Sequence, residues 1–179
     1  MTTVRTRPFT DWEGDDAISN ALGRWVTCVD TATGRALAWA TNGRKNLDGK
    51  TIRAAVHPHD PNGITFAQAD DAIYSLTQRH LVTMQNPTAA KVTAWLRAGK
   101  GLVVAGRYDT IPRAYRFQQR ATFNHGVFLA RVGANGSVRE YDPLDPRTHQ
   151  RGAVIPYSVM LPFIASLGYL VAYVPLEPL

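Results

Sequence analysis

The chain has 179 residues, of which 45% are hydrophobic and 19% charged, and it carries a formal net charge of +6. That is an ordinary soluble composition, long enough for one domain with a sizeable core. No apolar run approaches the roughly 18 to 20 residues that a membrane span requires. A lone cysteine excludes an internal disulfide and any multi-cysteine metal site. The start, Met1-Thr-Thr-Val-Arg-Thr-Arg-Pro8, lacks the apolar core of a signal peptide, so the expected location is a cytoplasm, with no membrane partner. A pI of about 9.8 favours anionic partners. The basic residues are scattered, however, with no run longer than Arg44-Lys45 and no interleaved aromatics, so nucleic acid is not the expected partner.

Residues 1–14 are polar and irregular, with Pro8 and Gly14, and are expected to form a flexible arm; residues 15–179 are expected to form a single domain. Asp15 to Leu22 fits a short helix ended by Gly23. A longer helix is predicted from Cys28 to about Thr41. Thr27 is its N-cap with Asp30 at capping-box spacing, and Val29, Ala32, Ala36, Trp39 and Ala40 share one face before Asn42-Gly43 stops it. Cys28 thus sits at the first helical position, where unpaired amides and the helix dipole favour a thiolate. The same position also suits a small buried hydrophobe.

Leu47 to Val56 reads as another short helix, capped by Asp48, with Ile52 and Ala55 inward. The histidines and Asp60 of His57-Pro-His-Asp-Pro-Asn-Gly63 suggest a metal, but a rigid, solvated turn accounts for them, and no metal or cofactor is expected. Thr65-Phe-Ala-Gln68 is a capping box opening a helix to about Arg79 with Phe66, Ala69, Ile73 and Leu76 on its apolar stripe. Leu81 to Met84 is a short strand. Thr88 caps the next helix, which turns Val92, Trp95 and Leu96 inward and ends at Gly99. Leu102-Val-Val-Ala105, bounded by glycines, is a central buried strand. The segment Gly106 to Pro112 leaves it, Arg113 to Thr122 is a polar loop, and this connection is a natural place for substrate contacts.

A β-hairpin follows. Its first arm runs through Val127 and Leu129 to a Gly133-Ala-Asn-Gly136 turn, and its second carries Val138 and Tyr141. His125 opens the first arm and Asp142 closes the second, so pairing brings them together at the open end. A carboxylate facing a histidine fixes the imidazole tautomer and stabilises the imidazolium; the bland alternative is a pair that merely ends the hairpin. Pro143 to Arg151 is turn-rich, Ser158 to Leu167 is a helix in which Pro162 is tolerable only in the first turn, and Tyr169 to Val174 is a last strand.

Helices gathered early and strands late argue for an α+β fold. The order of a helix-opening Thr27-Cys28, then Leu102-Val-Val-Ala-Gly106, Asn124-His-Gly-Val-Phe128, the Asn135-Gly136 hairpin and Tyr141-Asp-Pro-Leu144 resembles the papain-like cysteine peptidases. The C39-like branch, found in bacterial processing peptidases and phage-encoded proteins, is the nearest match, and the resemblance covers most of residues 25–175. It implies N-terminal helices packed on a C-terminal, mostly antiparallel sheet. It implies a catalytic triad as well, with Cys28 as nucleophile, His125 as general base and acid, and Asp142 orienting the imidazole. The implied substrate is a peptide, an isopeptide or a peptidoglycan-like peptide stem, in a host cytoplasm or a virion. Two departures stand out. The family's Asp-Cys-Gly is here Thr27-Cys28-Val29, and no Gln precedes Cys28 to complete an oxyanion hole, Asn20 being the only amide in reach. They keep a rival open: a catalytically inactive binding or phage structural module on the same scaffold.

Overall fold

In the computed structural model, residues 28–56, 63–145 and 152–177 are described. The expectations for the arm, the Asp15–Leu22 helix, the Thr27 cap, Asn20, most of the His57–Gly63 loop and much of the Pro143–Arg151 connection lie outside them.

The predicted central strand is the middle of the molecule. Leu102, Val103 and Val104 have no apolar partner except through burial, and β2 (Leu102–Arg107) takes them inside a sheet with both faces covered. Its hydrogen-bonded neighbour β3 (Asn124–Val132) is buried from His125 to Ala130, so the alternation expected through Val127 and Leu129 is replaced by burial on both faces. With β1 (Val82–Thr83), β4 (Ser137–Tyr141), β5 (Ala153–Pro156) and β6 (Leu170–Tyr173) they form a sheet of order β1-β6-β2-β3-β4-β5, in which every neighbouring pair is antiparallel. The fold is α+β, as the segregation of elements predicts. Strand β5 was not foreseen; it follows the turn-rich connection and pairs with β4 along Ser137–Glu140.

Successive residues of one strand serve different cores. Val103 and Phe128 pack with Ala32, Ala36, Ile52 and Ile73, from α1 (Cys28–Ala40), α2 (Gly49–Val56) and α3 (Phe66–Thr77). Val104 and Val127 pack on the other side with Val92, Leu96, Met160 and Phe163, from α4 (Ala89–Arg97) and α5 (Tyr157–Ala165). Helices therefore cover both faces. The early ones lie on one side, and α4 and α5 on the other.

Helix α1 is enclosed almost all round, Asp30, Thr31, Thr33 and Arg35 included. Its two buried charged residues meet partners: Asp30 pairs with Arg53 of α2 at 3.1 Å, both fully inside, and the Arg35 guanidinium lies 5.0 Å from the Tyr141 ring. That pairing corrects the expectation for α2, where Arg53 and not Ala55 turns inward beside Ile52. On α3 the capping box forms as predicted, Thr65 and Gln68 bonding each other's backbone amides. Its stripe is rotated, with Ala72 buried and Leu76 exposed. Pro162 lies beyond the first turn of α5, so one intrahelical bond is forgone there. At the far end of α1, Gly43 adopts φ 77° and donates to the Ala38 carbonyl at 2.8 Å, the left-handed stop expected of Asn42-Gly43. Among the described residues no helix is long and apolar enough to cross a membrane.

Gly34 lets α1 and the approach to α2 touch: a Cβ there would sit 2.2 Å from the Leu47 carbonyl oxygen. Gly34→Ala must push backbone, not a pliable side chain, and is expected to lower stability by about 1–3 kcal/mol or more. Urea denaturation should show this as a lower midpoint with an unchanged slope.

Candidate active site

The hairpin forms as its sequence dictates. Gly136, at φ 73°, and Asn135, whose side chain accepts from Ser137 N, close the turn, and β3 and β4 pair from Phe128↔Tyr141 back to Val132↔Val138 with an irregularity between. This register carries His125 and Asp142 to the open end on one side of the sheet. His125 Nε2 and Asp142 Oδ1 are 2.6 Å apart, both side chains almost fully buried. The carboxylate is held by more than the histidine: the Leu144 amide donates to Oδ1 at 2.8 Å, and the Tyr108 hydroxyl donates to Oδ2 at 2.8 Å. The Asp142-Pro143-Leu144 turn therefore serves the carboxylate as well as ending the strand.

Cys28 heads α1 and is half-buried. Gly126 determines how near the helix tip can come, since a Cβ at this position would lie 3.1 Å from Val29 Cγ2 and 3.4 Å from its Cα. With the helix seated there, the Cys28 thiol acts on the His125 ring as a hydrogen-bond and charge neighbour. Since Nε2 faces Asp142, the nitrogen left for the thiol is Nδ1, which has no well-aligned hydrogen bond among the described residues. Asp142 is bonded to His125, and Cys28 is close enough to act on the same ring.

Opposed effects set the charges. Burial works against a charge on His125, but the Asp142 carboxylate, and after it the Cys28 thiol, push its pKa up to about 10. Burial likewise opposes the Asp142 charge, and the imidazolium with the hydrogen bonds from His125, Leu144 and Tyr108 outweighs it, holding this carboxyl below its ordinary range. Glu140, two residues earlier on β4, goes the other way. Burial, then the charges of Asp142 and Asp145, lift it well above the ordinary value despite His125. The environment thus pushes one carboxyl towards its ionised form and its neighbour towards its neutral form.

Tyr108 and Glu140 are parts of the site that pattern reading missed. Tyr108 belongs to the short 3₁₀ turn Tyr108–Thr110 at the end of β2. Its ring is edge-on to His125 at 4.9 Å and stacked with Phe123 at 5.9 Å. Nothing local in the sequence marks it, although it lies in the connection singled out for substrate contacts. Glu140 could have been noticed as a charge at an inward position of a strand. No group of three or more histidine, cysteine or carboxylate side chains suited to a metal ion occurs among the described residues.

This architecture is shared with a known protein. The chain superposes on a Bacillus anthracis protein provisionally described as a C39-like peptidase, with a TM-score of 0.61 over 85% of this chain and 89% of that one. The C39-like, papain-like fold inferred from the order of motifs is thereby supported. Sequence identity is 12%, so the likeness is one of fold. No family model and no curated protein matches the chain.

The charges also set a pH dependence. The stabilising contribution of His125 is complete below about 6.5, its unfolded value, and is lost as pH rises towards about 10. Glu140, also raised, contributes fully below about 4.3 and loses its contribution as pH rises. Asp142, lowered, contributes above about 3.9 and loses its contribution in acid. Thermal midpoints should therefore be highest near pH 4 and fall as pH rises towards 9, first as Glu140 loses its contribution and above about pH 6.5 as His125 does too. Glu140→Gln, which cannot ionise, should flatten that fall; an unchanged slope would mean that Glu140 is not buried in its neutral form.

Proposed function

We propose that the protein is a cysteine-dependent amide hydrolase acting on peptides. The observation that carries this reading is the buried His125–Asp142 pair with the Cys28 thiol close enough to act on the same imidazole. In the proposed cycle the Cys28 sulfur attacks the substrate carbonyl carbon while its proton resides on His125. Collapse of the tetrahedral adduct breaks the C–N bond, and His125 Nδ1 passes that proton to the departing amine. A thioester remains. Water then attacks it, His125 takes the water's proton, and the Cys28 sulfur leaves with the proton returned. Asp142 keeps the imidazole in place and stabilises its charge throughout. The Cys28 amide, at a helix head whose first N–H groups have no intrahelical partner, is the proposed donor to the oxyanion.

The superposition on a protein described as a C39-like peptidase supports the scaffold of this reading. The net charge of +6 suits an anionic target, and the peptide stems of a bacterial cell wall are one substrate of that kind.

At pH 6 to 7, Cys28 should be alkylated by iodoacetamide much faster than a free thiol, and His125→Ala should remove the excess. Incubation with a mixed peptide pool, followed by mass spectrometry, should reveal new termini that Cys28→Ala does not produce. His125→Ala should lower the cleavage rate by about 10²- to 10⁴-fold, the usual contribution of a general acid–base. Ordinary thiol reactivity and no cleavage would instead favour a binding module on this scaffold.

A further inference from the structure

We infer that Tyr108 is a positioning residue of the site, a hydroxyl relay that locks Asp142 and ties the 113–122 loop to it; this inference rests on the hydrolase reading above. A phenol has one proton to give and two lone pairs to receive with. The Phe117 amide donates to the Tyr108 oxygen at 3.0 Å, and the Gln118 amide points at the same atom at 3.5 Å. With the accepting side of the oxygen occupied by backbone N–H groups, the single hydroxyl proton is directed at Asp142 Oδ2, 2.8 Å away.

Three features make this a device for orienting the carboxylate. Tyr108 is fully buried, so water does not compete for the hydroxyl. Burial, then the Asp142 charge and hydrogen bond, push its pKa above the ordinary value, which keeps it a donor over the working pH range. The oxygen it holds is the one not facing the imidazole: Oδ1 receives His125 and the Leu144 amide, and Oδ2 receives Tyr108. A carboxylate held at both oxygens cannot rotate out of the imidazole plane. The same bonds fix the loop, because its Phe117 and Gln118 amides are anchored on Tyr108. Tyr115 and Phe117 stand exposed on that loop, on the segment leading to His125. A displacement of the loop would therefore be felt at Asp142.

Tyr108→Phe keeps the ring and deletes the relay, and a double-mutant cycle with Asp142→Ala separates positioning from packing. The reading is the second-order rate of Cys28 alkylation by iodoacetamide at pH 6, which needs no substrate. Tyr108→Phe should slow it about tenfold in the otherwise unaltered protein, the size expected for losing a hydrogen bond to a charged group. In the Asp142→Ala background the same change should alter the rate less than about twofold, since nothing is left to position. Equal slowing in both backgrounds, or none in the first, overturns the inference while leaving the hydrolase reading intact. Failure of the hydrolase reading looks different: the unaltered protein itself would react no faster than a free thiol. Should Tyr108→Phe fail to fold, proton NMR of the unaltered protein decides. A slowly exchanging Tyr108 hydroxyl proton is expected, and rapid exchange with solvent overturns the relay.

Discussion

The hydrogen bond between His125 and Asp142 is the contact on which the rest of the site depends. Two charges taken out of water are costly unless each finds its partner and its remaining hydrogen bonds. The surroundings meet that demand one group at a time. The Leu144 amide and the Tyr108 hydroxyl complete the carboxylate, and the Cys28 thiol acts on the imidazole as a further neighbour. Glu140 is pushed towards its neutral form for a related reason, because burial and then the Asp142 and Asp145 charges oppose a second anion there. The pair thus organises its neighbours' protonation as well as their positions.

The fold supplies the precision this requires. β3 is buried on both faces and carries His125 at one end, so the histidine stands on the least deformable part of the sheet. Helix α1 is pinned along its length by the Asp30–Arg53 pair and the Arg35–Tyr141 contact, and beyond its end by the ion pairs of Arg44 and Arg79 with Glu177. Gly126 gives the helix tip its closest approach. The Asp30–Arg53 and Arg35–Tyr141 contacts are buried, whereas the Glu177 pairs lie at the surface, so it is the buried contacts that hold the helix behind Cys28.

Much of this was legible in the chain because it depends on local rules. Asn135-Gly136 specifies the turn and the pairing next to it, and a register shift between Leu129 and Val132 intervenes before the end that brings His125 to Asp142. Thr65 and Thr88 announced two helix starts, and the apolar run at 102–105 announced the central strand. What was not legible depends on partners distant in sequence. Arg53 displaced Ala55 from the core because Asp30 waits on another helix. The single inward stripe read for helix α1 understates it, because the helix is covered almost all round, and β5 has no pattern apart from its pairing with β4. Tyr108 looked like one residue of a loop, and only the approach of Asp142 and of the Phe117 amide gives its hydroxyl a role.

The account stands most directly on the protonation state of one ring. Nitrogen NMR of selectively labelled histidine should find both nitrogens of His125 protonated through pH 8, with the charge lost only towards about pH 10. In Asp142→Asn the same ring should become neutral at lower pH. A neutral His125 at pH 7 in the unaltered protein, or a titration indifferent to Asp142→Asn, would contradict the claim that this buried pair is the charged centre of the site.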